Sequence, residues 1–231
     1  MAIPWGARRI CLDTDYYETY NRESVTLVDL LSDPLEAVTV DGLKTRSQDY
    51  PLDVLILATG FDAMTGALLN IDIRGRHGQS LREKWQDGPR SYLGLTIEGF
   101  PNLFTITGPG SPSVLSNMIA SIEQHVEWIA DYLRFAAEQN IVLIEATREA
   151  EDSWVQHVNA VADLTLFPKA NTWYTGSNVP GKPRIFMPYV GGLHNYRKRC
   201  AEIAARGYEG FRLEFSESAS RRPSLAHKRV V

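Results

Sequence analysis

Four short segments carry residues whose types and spacing could do chemistry. Arg8 and Arg9 are adjacent cations that could hold an anion together. An apolar run at 52–58 leads into Ala-Thr-Gly at 58–60. Strands end in such small residues where their carboxyl ends meet a bound nucleotide. Gly-Pro-Gly-Ser-Pro-Ser at 108–113 precedes a helical pattern, whose N-terminal N–H groups suit an anion. Trp173 lies in a Gly- and Pro-rich loop, where its ring could stack on a ligand.

Each of these segments also has an ordinary structural interpretation. Adjacent arginines are usually a solvated pair. The Ala-Thr-Gly sequence is also a common end for a strand. The segment 108–113 equally fits a plain connection from strand to helix, with Ser113 as the helix cap. Trp173 could simply fill a core, so the pattern alone leaves both interpretations open.

Several other kinds of site are excluded by the sequence. No metal site is expected, because the histidines form neither HxxxH nor HExxH and pair with no cysteine. Two of them, His125 and His157, fall within helical patterns and are expected to be hydrogen-bonded structural residues. GxSxG and kinase signatures are absent. No GxGxxG or Walker sequence occurs, so the usual glycine cradle for a pyrophosphate is not in this chain.

The elements that must position these residues can be predicted from periodicity. In the first 60 residues we expect a helical turn at 15–21, a strand at 25–30 and a hairpin turning at Asp41-Gly42. The run at 52–58 predicts a strand buried on both faces, as in a parallel sheet. The chain then changes to a polar, Gly-rich stretch at 61–99, which predicts loops and short pieces.

The second half is richer in helix. A second buried strand is expected at 102–107, followed by a long helix whose apolar residues recur every three or four positions from Leu115 to Leu133. Further helices are expected at 149–163 and 196–205, with a loop at 172–183 and a strand at 210–215. Residues 216–231 are rich in Ser and Arg without periodicity and are expected to be a disordered tail.

Composition narrows the class of protein. With 231 residues, 44% hydrophobic, the chain is expected to be globular, in one large domain or two small ones. Its net charge of −4 gives no electrostatic reason to expect nucleic acid. No apolar stretch approaches the roughly 18 residues of a membrane span, and no signal peptide is expected. The two distant cysteines suit a cytoplasmic protein.

Several blocks in fixed order resemble the Baeyer–Villiger flavin monooxygenases, of the phenylacetone and cyclohexanone monooxygenase type. The resemblance runs from Pro4 to Phe215. The blocks are Pro-x-Gly-x-Arg-Arg at 4–9, Tyr-Tyr-Glu-Thr-x-Asn-Arg at 16–22, Val-Thr-Leu-Val-Asp at 25–29, Leu-Ala-Thr-Gly-Phe-Asp-Ala-x-Thr-Gly at 57–66, Gly-Pro-Gly-Ser-Pro-Ser-x-Leu-Ser-Asn-Met at 108–118, Ser-Ile-Glu-Gln-His-Val-Glu-Trp at 121–128 and Trp-Tyr-Thr-Gly-x-Asn-x-Pro-Gly-Lys-Pro at 173–183.

This resemblance implies an α/β fold made of the C-terminal portions of two doubly wound, Rossmann-like dinucleotide-binding domains, both incomplete. Residues 1–60 would be the second part of an NADP-binding domain, and residues 61–215 the C-terminal part of an FAD-binding domain. The family's two GxGxxG motifs would lie upstream of the matched region. The chain is therefore expected to be a truncated form, with an N-terminal half as its missing partner.

The resemblance also implies a reaction and its residues. FAD and NADPH would be the cofactors, and a flavin peroxide would convert a ketone, with O₂, to an ester or lactone. Arg9 would be both a cofactor-binding residue beside the flavin and the catalytic guanidinium, stabilising the negative charge that develops. Arg8 stands where the family usually has lysine and would bind the NADP phosphate, near Arg9. Trp173 would contact NADP and Met118 the flavin. The substrate pocket would be shaped by Ser113, Val114 and Leu115.

Two alternatives remain at this stage. The chain could be an inactive fragment or an interaction module without cofactor, because a run such as 52–58 would lose its sheet neighbours and expose apolar edges. It could also be an N- or S-oxygenating flavin monooxygenase, which shares the Ala-Thr-Gly strand end. The Pro-Gly-Ser-Pro-Ser and Trp-Tyr-Thr-Gly blocks favour the Baeyer–Villiger type.

Overall fold

A computed structural model of the chain describes Pro4, Ala7 and residues 11–216. The chain divides into two compact units, a smaller one of Arg9–Phe61 and a larger one formed mainly by the residues from Asp62 onward. The chain contains both helices and strands, in agreement with the expected α/β class, and the strand pairs of the described residues are all antiparallel. Apart from Ser216, the tail expected at 216–231 lies outside the described residues.

The smaller unit is built around a three-stranded antiparallel sheet. Helix α1 (Tyr16–Thr19) precedes strands β1 (Leu35–Val38), β2 (Gly42–Thr45) and β3 (Asp49–Pro51), which pair in the order β1-β2-β3. The predicted helical turn and hairpin are confirmed. Gly42 closes the hairpin turn. Only glycine fits at this position, because a Cβ there would lie 2.0 Å from the carbonyl oxygen of Tyr50.

Two strands predicted in this unit are wrong. Residues 25–30 form no strand, and Leu27 is 71% exposed. Residues 52–58, expected to be a buried parallel strand, are extended and pair with no other strand of the described residues. Val54, Ile56 and Leu57 are 73, 82 and 75% exposed. The apolar run fits a buried strand, but burial needs neighbours on both sides, and the described sheet supplies none.

The larger unit is mainly helical. The expected loops after residue 61 contain the short helices α2 (Gly66–Leu69) and α3 (Leu81–Lys84). Three longer helices follow, α4 (Met118–Gln139), α5 (Arg148–Asp163) and α6 (Leu193–Ala205). Strands β4 (Ile141–Ala146) and β5 (Phe211–Phe215) pair antiparallel. The predictions for α5, α6 and β5 are confirmed, whereas β4 has no counterpart in the sequence predictions.

The strand predicted at 102–107 is also wrong. The N–H of Asn102 donates to the carbonyl of Ile144 in β4, and the N–H of Ile144 donates to the side-chain oxygen of Asn102. The N–H of Thr105 donates to the carbonyl of Leu95 over 2.8 Å. These are single bonds to different partners, so no ladder forms. The segment is held to its surroundings by these separate hydrogen bonds and not by pairing along a neighbouring strand.

The main core lies between α4, α5, α6 and the β4–β5 pair, and it is rich in aromatic rings. Its fully or nearly fully buried members include Trp128, Tyr132, Trp154, Tyr196 and Tyr208. The rings of Trp128 and Tyr132 meet that of Tyr208 edge-on, with centroids 5.2 and 5.0 Å apart. No helix within residues 11–216 combines the length and apolar character needed to cross a membrane.

Helix α4 buries a different face from the one its apolar stripe predicts. Its buried residues include Ser121, His125 and Trp128, whereas Ile119, Val126 and Leu133 are 64, 47 and 56% exposed. The helix therefore has two low-polarity faces, and only one is covered by the larger unit itself. The exposed face is a surface suited to a further packing partner.

Candidate functional site

Three segments of the larger unit meet at one place, and each belongs to a block singled out in the sequence. They are residues 62–66, residues 113–118 and residues 173–182. The first precedes α2, the second runs from a 3₁₀ turn at Ser113–Leu115 into α4, and the third begins with a 3₁₀ turn at Trp173–Thr175. We call this place the three-segment site.

Ser113 lies at the centre of the three-segment site. Its side chain is buried, and its hydroxyl contacts the sulfur of Met64 at 3.6 Å and that of Met118 at 4.0 Å. Its backbone has a positive φ of 45°, which is uncommon for a residue with a side chain and reflects the sharp turn after Pro112. Two of the segments are thereby joined through a single hydroxyl group.

An apolar cluster joins the second segment to the third. Val114, Leu115 and Trp173 are partly buried against the buried residues Ala162, Tyr174 and Phe186. The ring of Trp173 packs on that of Tyr174, with centroids 4.2 Å apart. Five of the residues predicted for a site are therefore brought together: Ser113, Val114, Leu115, Met118 and Trp173. Arg8 and Arg9 lie outside the described residues.

The Gly-Pro-Gly loop beside the site is held by hydrogen bonds to its main chain. Gly110 donates its N–H to Met187 over 2.7 Å, and its carbonyl accepts from the indole of Trp154 over 3.0 Å. The carbonyl of Pro109 accepts from the hydroxyl of Ser91. The carbonyl of Ser111 accepts from the N–H of Tyr189 over 2.7 Å. Partners from different parts of the unit fix this loop, so it is a rigid support for Ser113.

His125 holds the start of the same loop. Its Nδ1 accepts the N–H of Thr107 over 2.9 Å, and its Nε2 lies 2.9 Å from the hydroxyl of Tyr196. Tyr196 in turn donates to the carbonyl of Leu93 over 2.6 Å. These contacts fit one neutral tautomer with its proton on Nε2. The prediction that His125 is a hydrogen-bonded structural histidine is confirmed.

Burial keeps the titratable groups around this loop uncharged at neutral pH. It lowers the pKa of His125 to about 4 and raises the pKa of the Cys200 thiol to about 12. The pKa of Tyr196 is also raised well above its ordinary value by burial. These residues therefore act on the site through hydrogen bonds and packing and carry no charge there.

The N-terminus of α4 opens beside Ser113. The helix begins after Asn117, whose side-chain oxygen accepts the N–H groups of Ile119 and Ala120 over 3.0 and 3.4 Å. The predicted cap, Ser113, is wrong, because the 3₁₀ turn at Ser113–Leu115 separates it from the helix. Within the described part of the chain, no hydrogen bond uses the N–H of Met118. That donor remains available to an acceptor at the positive end of a 22-residue helix.

Replacing Asn117 with alanine is expected to lower the free energy of unfolding by about 1 kcal/mol, because two N–H groups lose their acceptor. Urea denaturation followed by circular dichroism measures the change. Glu138→Ala, at an exposed position near the other end of α4, is the matched control and should change stability by less than about 0.5 kcal/mol. Equal stability of the Asn117 variant and the unmodified chain would contradict the capping role.

Residues important for the site were missed by the sequence predictions. Asp62 and Met64, in the first segment, and Lys182, in the third, make contacts that join segments far apart along the chain. The signal that could have found them is their position inside the blocks at 57–66 and 173–183. Among residues 11–216, no group of three His, Cys, Asp or Glu side chains could hold a metal ion.

Known proteins resemble the chain over most of its length. Cyclohexanone 1,2-monooxygenase from Acinetobacter sp. is 41% identical over 221 residues, which is 95% of this chain and 40% of that protein. Phenazine N-monooxygenase PhzNO1 from Lysobacter antibioticus is 41% identical over 216 residues, 93% of this chain and 39% of that protein. The chain thus spans about 40% of the length of the curated relatives it matches. No family model matches it.

Solved structures give the same result for the fold. An oxidised steroid monooxygenase bound to NADP has a TM-score of 0.84 at 47% identity, with 94% of this chain and 40% of that chain covered. The OTEMO complex with FAD and NADP also has a TM-score of 0.84, at 41% identity, with 92% and 39% covered.

These similarities define the class as flavin-dependent monooxygenases. Within that class, the resemblance to the Baeyer–Villiger monooxygenases is confirmed, over 40% of the cyclohexanone enzyme and 37% of a Baeyer–Villiger monooxygenase from Pseudooceanicola batsensis.

Proposed function

We propose that this chain is the part of a Baeyer–Villiger monooxygenase that completes its two cofactor domains. Residues 1–60 supply the second part of the NADP-binding domain and residues 61–215 the C-terminal part of the FAD-binding domain. The whole enzyme uses FAD, NADPH and O₂ to convert a ketone to an ester or lactone. The observation that carries the proposal is the convergence at one site of Ser113 and Met118, from the block at 108–118, with Trp173, from the block at 173–183.

The described residues fit part of a flavin site. The N–H of Met118 is an unused donor at the N-terminus of α4, which suits an electronegative atom of the flavin ring. The rigid loop at 107–113 fixes the position of that helix end. FAD, when bound, supplies the redox chemistry that activates oxygen. A pyrophosphate cradle must come from outside this chain, because its sequence has no GxGxxG.

The remaining residues take roles from the family resemblance. Arg9 is the catalytic guanidinium, which stabilises negative charge on the reacting oxygen atoms. Arg8 contributes to the phosphate of NADP, and Trp173 contacts NADP from its half-buried position. Val114 and Leu115, beside Ser113, shape the wall against which the ketone binds. Their partly buried side chains contact the same cluster as Trp173.

Two exposed apolar surfaces support a role as part of a larger enzyme. Residues 52–58 present Val54, Ile56 and Leu57 to solvent, and α4 exposes Ile119 and Leu133. Such surfaces are normally covered by other parts of a protein. We infer that the region of the relatives that this chain does not span supplies the cover.

The experiment that tests the proposal is a chimera in which this chain replaces the matching 40% of Acinetobacter cyclohexanone monooxygenase. We expect the purified chimera to carry flavin absorbance and to convert cyclohexanone with NADPH to its lactone. The chain alone, purified with added FAD, should bind flavin far more weakly, because it lacks the pyrophosphate cradle. A folded, soluble chimera without bound flavin would overturn the proposal.

In the same chimera, Arg9→Ala is expected to lower the rate of lactone formation by about 100-fold or more while NADPH oxidation continues. The reason is that the charge stabilising the oxygen-transfer step is lost, whereas hydride transfer to the flavin does not need it. Gas chromatography of the product, together with NADPH consumption, separates the two rates. Arg134→Ala, on the exposed surface of α4, is the control. Unchanged lactone yield would refute the role of Arg9.

A second function within the class is oxygenation at nitrogen. The similarity of the phenazine N-monooxygenase is 41% over nearly the whole chain, as high as that of cyclohexanone 1,2-monooxygenase. The blocks that favour the Baeyer–Villiger type therefore do not separate the two activities. Assaying the chimera with a phenazine beside cyclohexanone distinguishes them. Should the chimera neither bind flavin nor turn over either substrate, a non-catalytic module is the remaining interpretation.

A further inference from the structure

Lys182 links two of the three segments that form the three-segment site. Its ammonium group pairs with the carboxylate of Asp62 and donates to the carbonyl of Ala63 over 3.2 Å. The side chain of Lys182 is only 11% exposed, and that of Asp62 is 39% exposed. The pair spans 120 residues of sequence. It is therefore a long-range contact between the segment at 173–182 and the segment at 62–66.

The stem of Lys182 is fixed as well as its charged end. Its methylene groups lie across Gly176, where an added Cβ would come within 3.1–3.3 Å of three of its carbons. Gly176 has a φ of 73°, so glycine suits both the turn and the close contact. With its stem packed and its head paired, Lys182 has little freedom to exchange its partner for water.

Asp62 is in turn connected to the centre of the site. Its carbonyl accepts the N–H of Gly66 over 3.1 Å, closing the turn that contains Met64. The sulfur of Met64 contacts the hydroxyl of Ser113. A continuous path therefore runs from the loop of Trp173 through Lys182 and Asp62 to Ser113.

Two backbone hydrogen bonds hold the base of this loop. Thr175 accepts the N–H of Ile185 over 3.2 Å, and Tyr174 accepts the N–H of Met187 over 2.9 Å. Towards the tip, Ser177, Pro180 and Gly181 are exposed. Towards 62–66, the contacts among the described residues come from Lys182, which ties the outer part of the loop to that segment. Beneath it lies a cavity of about 300 Å³ whose walls include Thr65, Trp85, Pro180 and Pro183.

We propose that Lys182 is a positioning residue, which holds the loop of Trp173 in place through its ion pair with Asp62. Breaking the pair releases the outer loop and opens the cavity beneath it, while the aromatic core stays folded. Loss of a partly buried pair of this kind is expected to change the opening equilibrium about fivefold.

Hydrogen exchange measured by mass spectrometry on the full chain tests the proposal. Lys182→Met keeps the apolar stem and removes the charge, and Asp62→Asn keeps the shape and removes the partner. In both variants, exchange of the peptide covering 172–183 should rise three- to tenfold, while peptides of α5 should not change. Lys198→Met, at an exposed lysine of α6, is the matched control and should change neither.

The double variant shows whether the two charged side chains act as a pair or contribute independently. If the two charges act together, Lys182→Met combined with Asp62→Asn should raise exchange no further than either substitution alone. Raising NaCl from 50 to 500 mM should increase exchange of 172–183 in the unmodified chain but not in the variants. Unchanged exchange in the single variants, additive effects, or an equal rise in α5 would each overturn the proposal.

The consequence for catalysis rests on the proposed function and has its own measurement. In the chimera, Lys182→Met should raise the KM for NADPH several-fold with a smaller change in kcat, because Trp173 would be positioned less well. If the chimera is inactive, the proposed function fails and the exchange result still decides the role of Lys182. An active chimera whose KM for NADPH is unaffected would overturn the positioning of Trp173.

Discussion

Replacing Glu151 with alanine is expected to lower the free energy of unfolding by about 3 kcal/mol. Glu151 lies in the first turn of α5, and its side chain is 1% exposed. One carboxylate oxygen accepts the N–H of Glu98 over 3.0 Å. The other lies 3.1 Å from the ammonium of Lys84 and 3.5 Å from the guanidinium of Arg90. Its removal leaves the partly buried N–H of Glu98 without an acceptor and takes away the carboxylate shared by Lys84 and Arg90, which keep their contacts with Glu98 and Asp152.

Urea denaturation at neutral pH measures this loss. Glu149→Ala is the matched control, because Glu149 is an exposed acid in the same helical turn. Both substitutions remove one negative charge from the helix N-terminus, so the control isolates the buried contacts and should cost less than about 1 kcal/mol. Similar losses for the two variants would contradict the role assigned to the buried carboxylate.

Acidification is expected to destabilise the larger unit through His125. The pKa of this histidine is about 4 in the folded chain and about 6.5 when it is unfolded. The unfolded chain therefore binds the proton more readily, and stability is lost as the pH falls from 6.5 towards 4. Above pH 6.5 the contribution is fully present. Over the whole interval the loss is about 3 kcal/mol, of which about 2 kcal/mol should appear by pH 5.

Denaturation curves at pH 7.5 and pH 5 measure this dependence. His125→Gln has no titrating group at this position, so the difference between the two pH values should shrink by about 2 kcal/mol even though the variant is less stable overall. His157 also has a lowered pKa, from desolvation and from nearby Arg199. His157→Gln is therefore the comparison, and it should leave most of the pH dependence in place. A His125 variant that retains the full dependence would show that other groups cause it.

Elements defined by local patterns could be predicted from the sequence. The hairpin at Asp41-Gly42 depends on a turn that only a few residue pairs allow. Helix α5 combines Trp154 and Val158 on one face with a threonine cap, Thr147, whose hydroxyl accepts the N–H of Ala150 over 3.2 Å. Such signals lie within a few residues of one another. Distant parts of the chain do not alter them.

Features set by distant partners could not be predicted in this way. The run at 52–58 has the composition of a buried strand, but its burial is decided by strands elsewhere. In α4 the apolar stripe of Val126 and Leu133 indicates one face, whereas the core takes the opposite face through ring packing and hydrogen bonds. The indole of Trp128, for example, donates to the carbonyl of Cys200 over 3.1 Å.

The three-segment site shows the same division between features set by local patterns and features set by distant partners. The resemblance of ordered blocks placed Ser113, Met118 and Trp173 among candidate residues, and the fold brings them together. The resemblance did not indicate the pair of Lys182 and Asp62, because two charges 120 residues apart form no sequence pattern. The cap at Asn117 was missed for a local reason, since the turn after Pro112 delays the start of α4.

The hydrogen bonds that hold the loop at 107–113 have a consequence for how such a site can diversify. Partners such as Trp154 and Tyr189 bond to its main chain, so the loop keeps its course whatever side chains the adjoining pocket positions carry. Val114 and Leu115 can therefore change in size while the end of α4 stays fixed. Under the proposed function, single substitutions at these two positions could alter which ketones are accepted, without rebuilding the framework that would serve the cofactor.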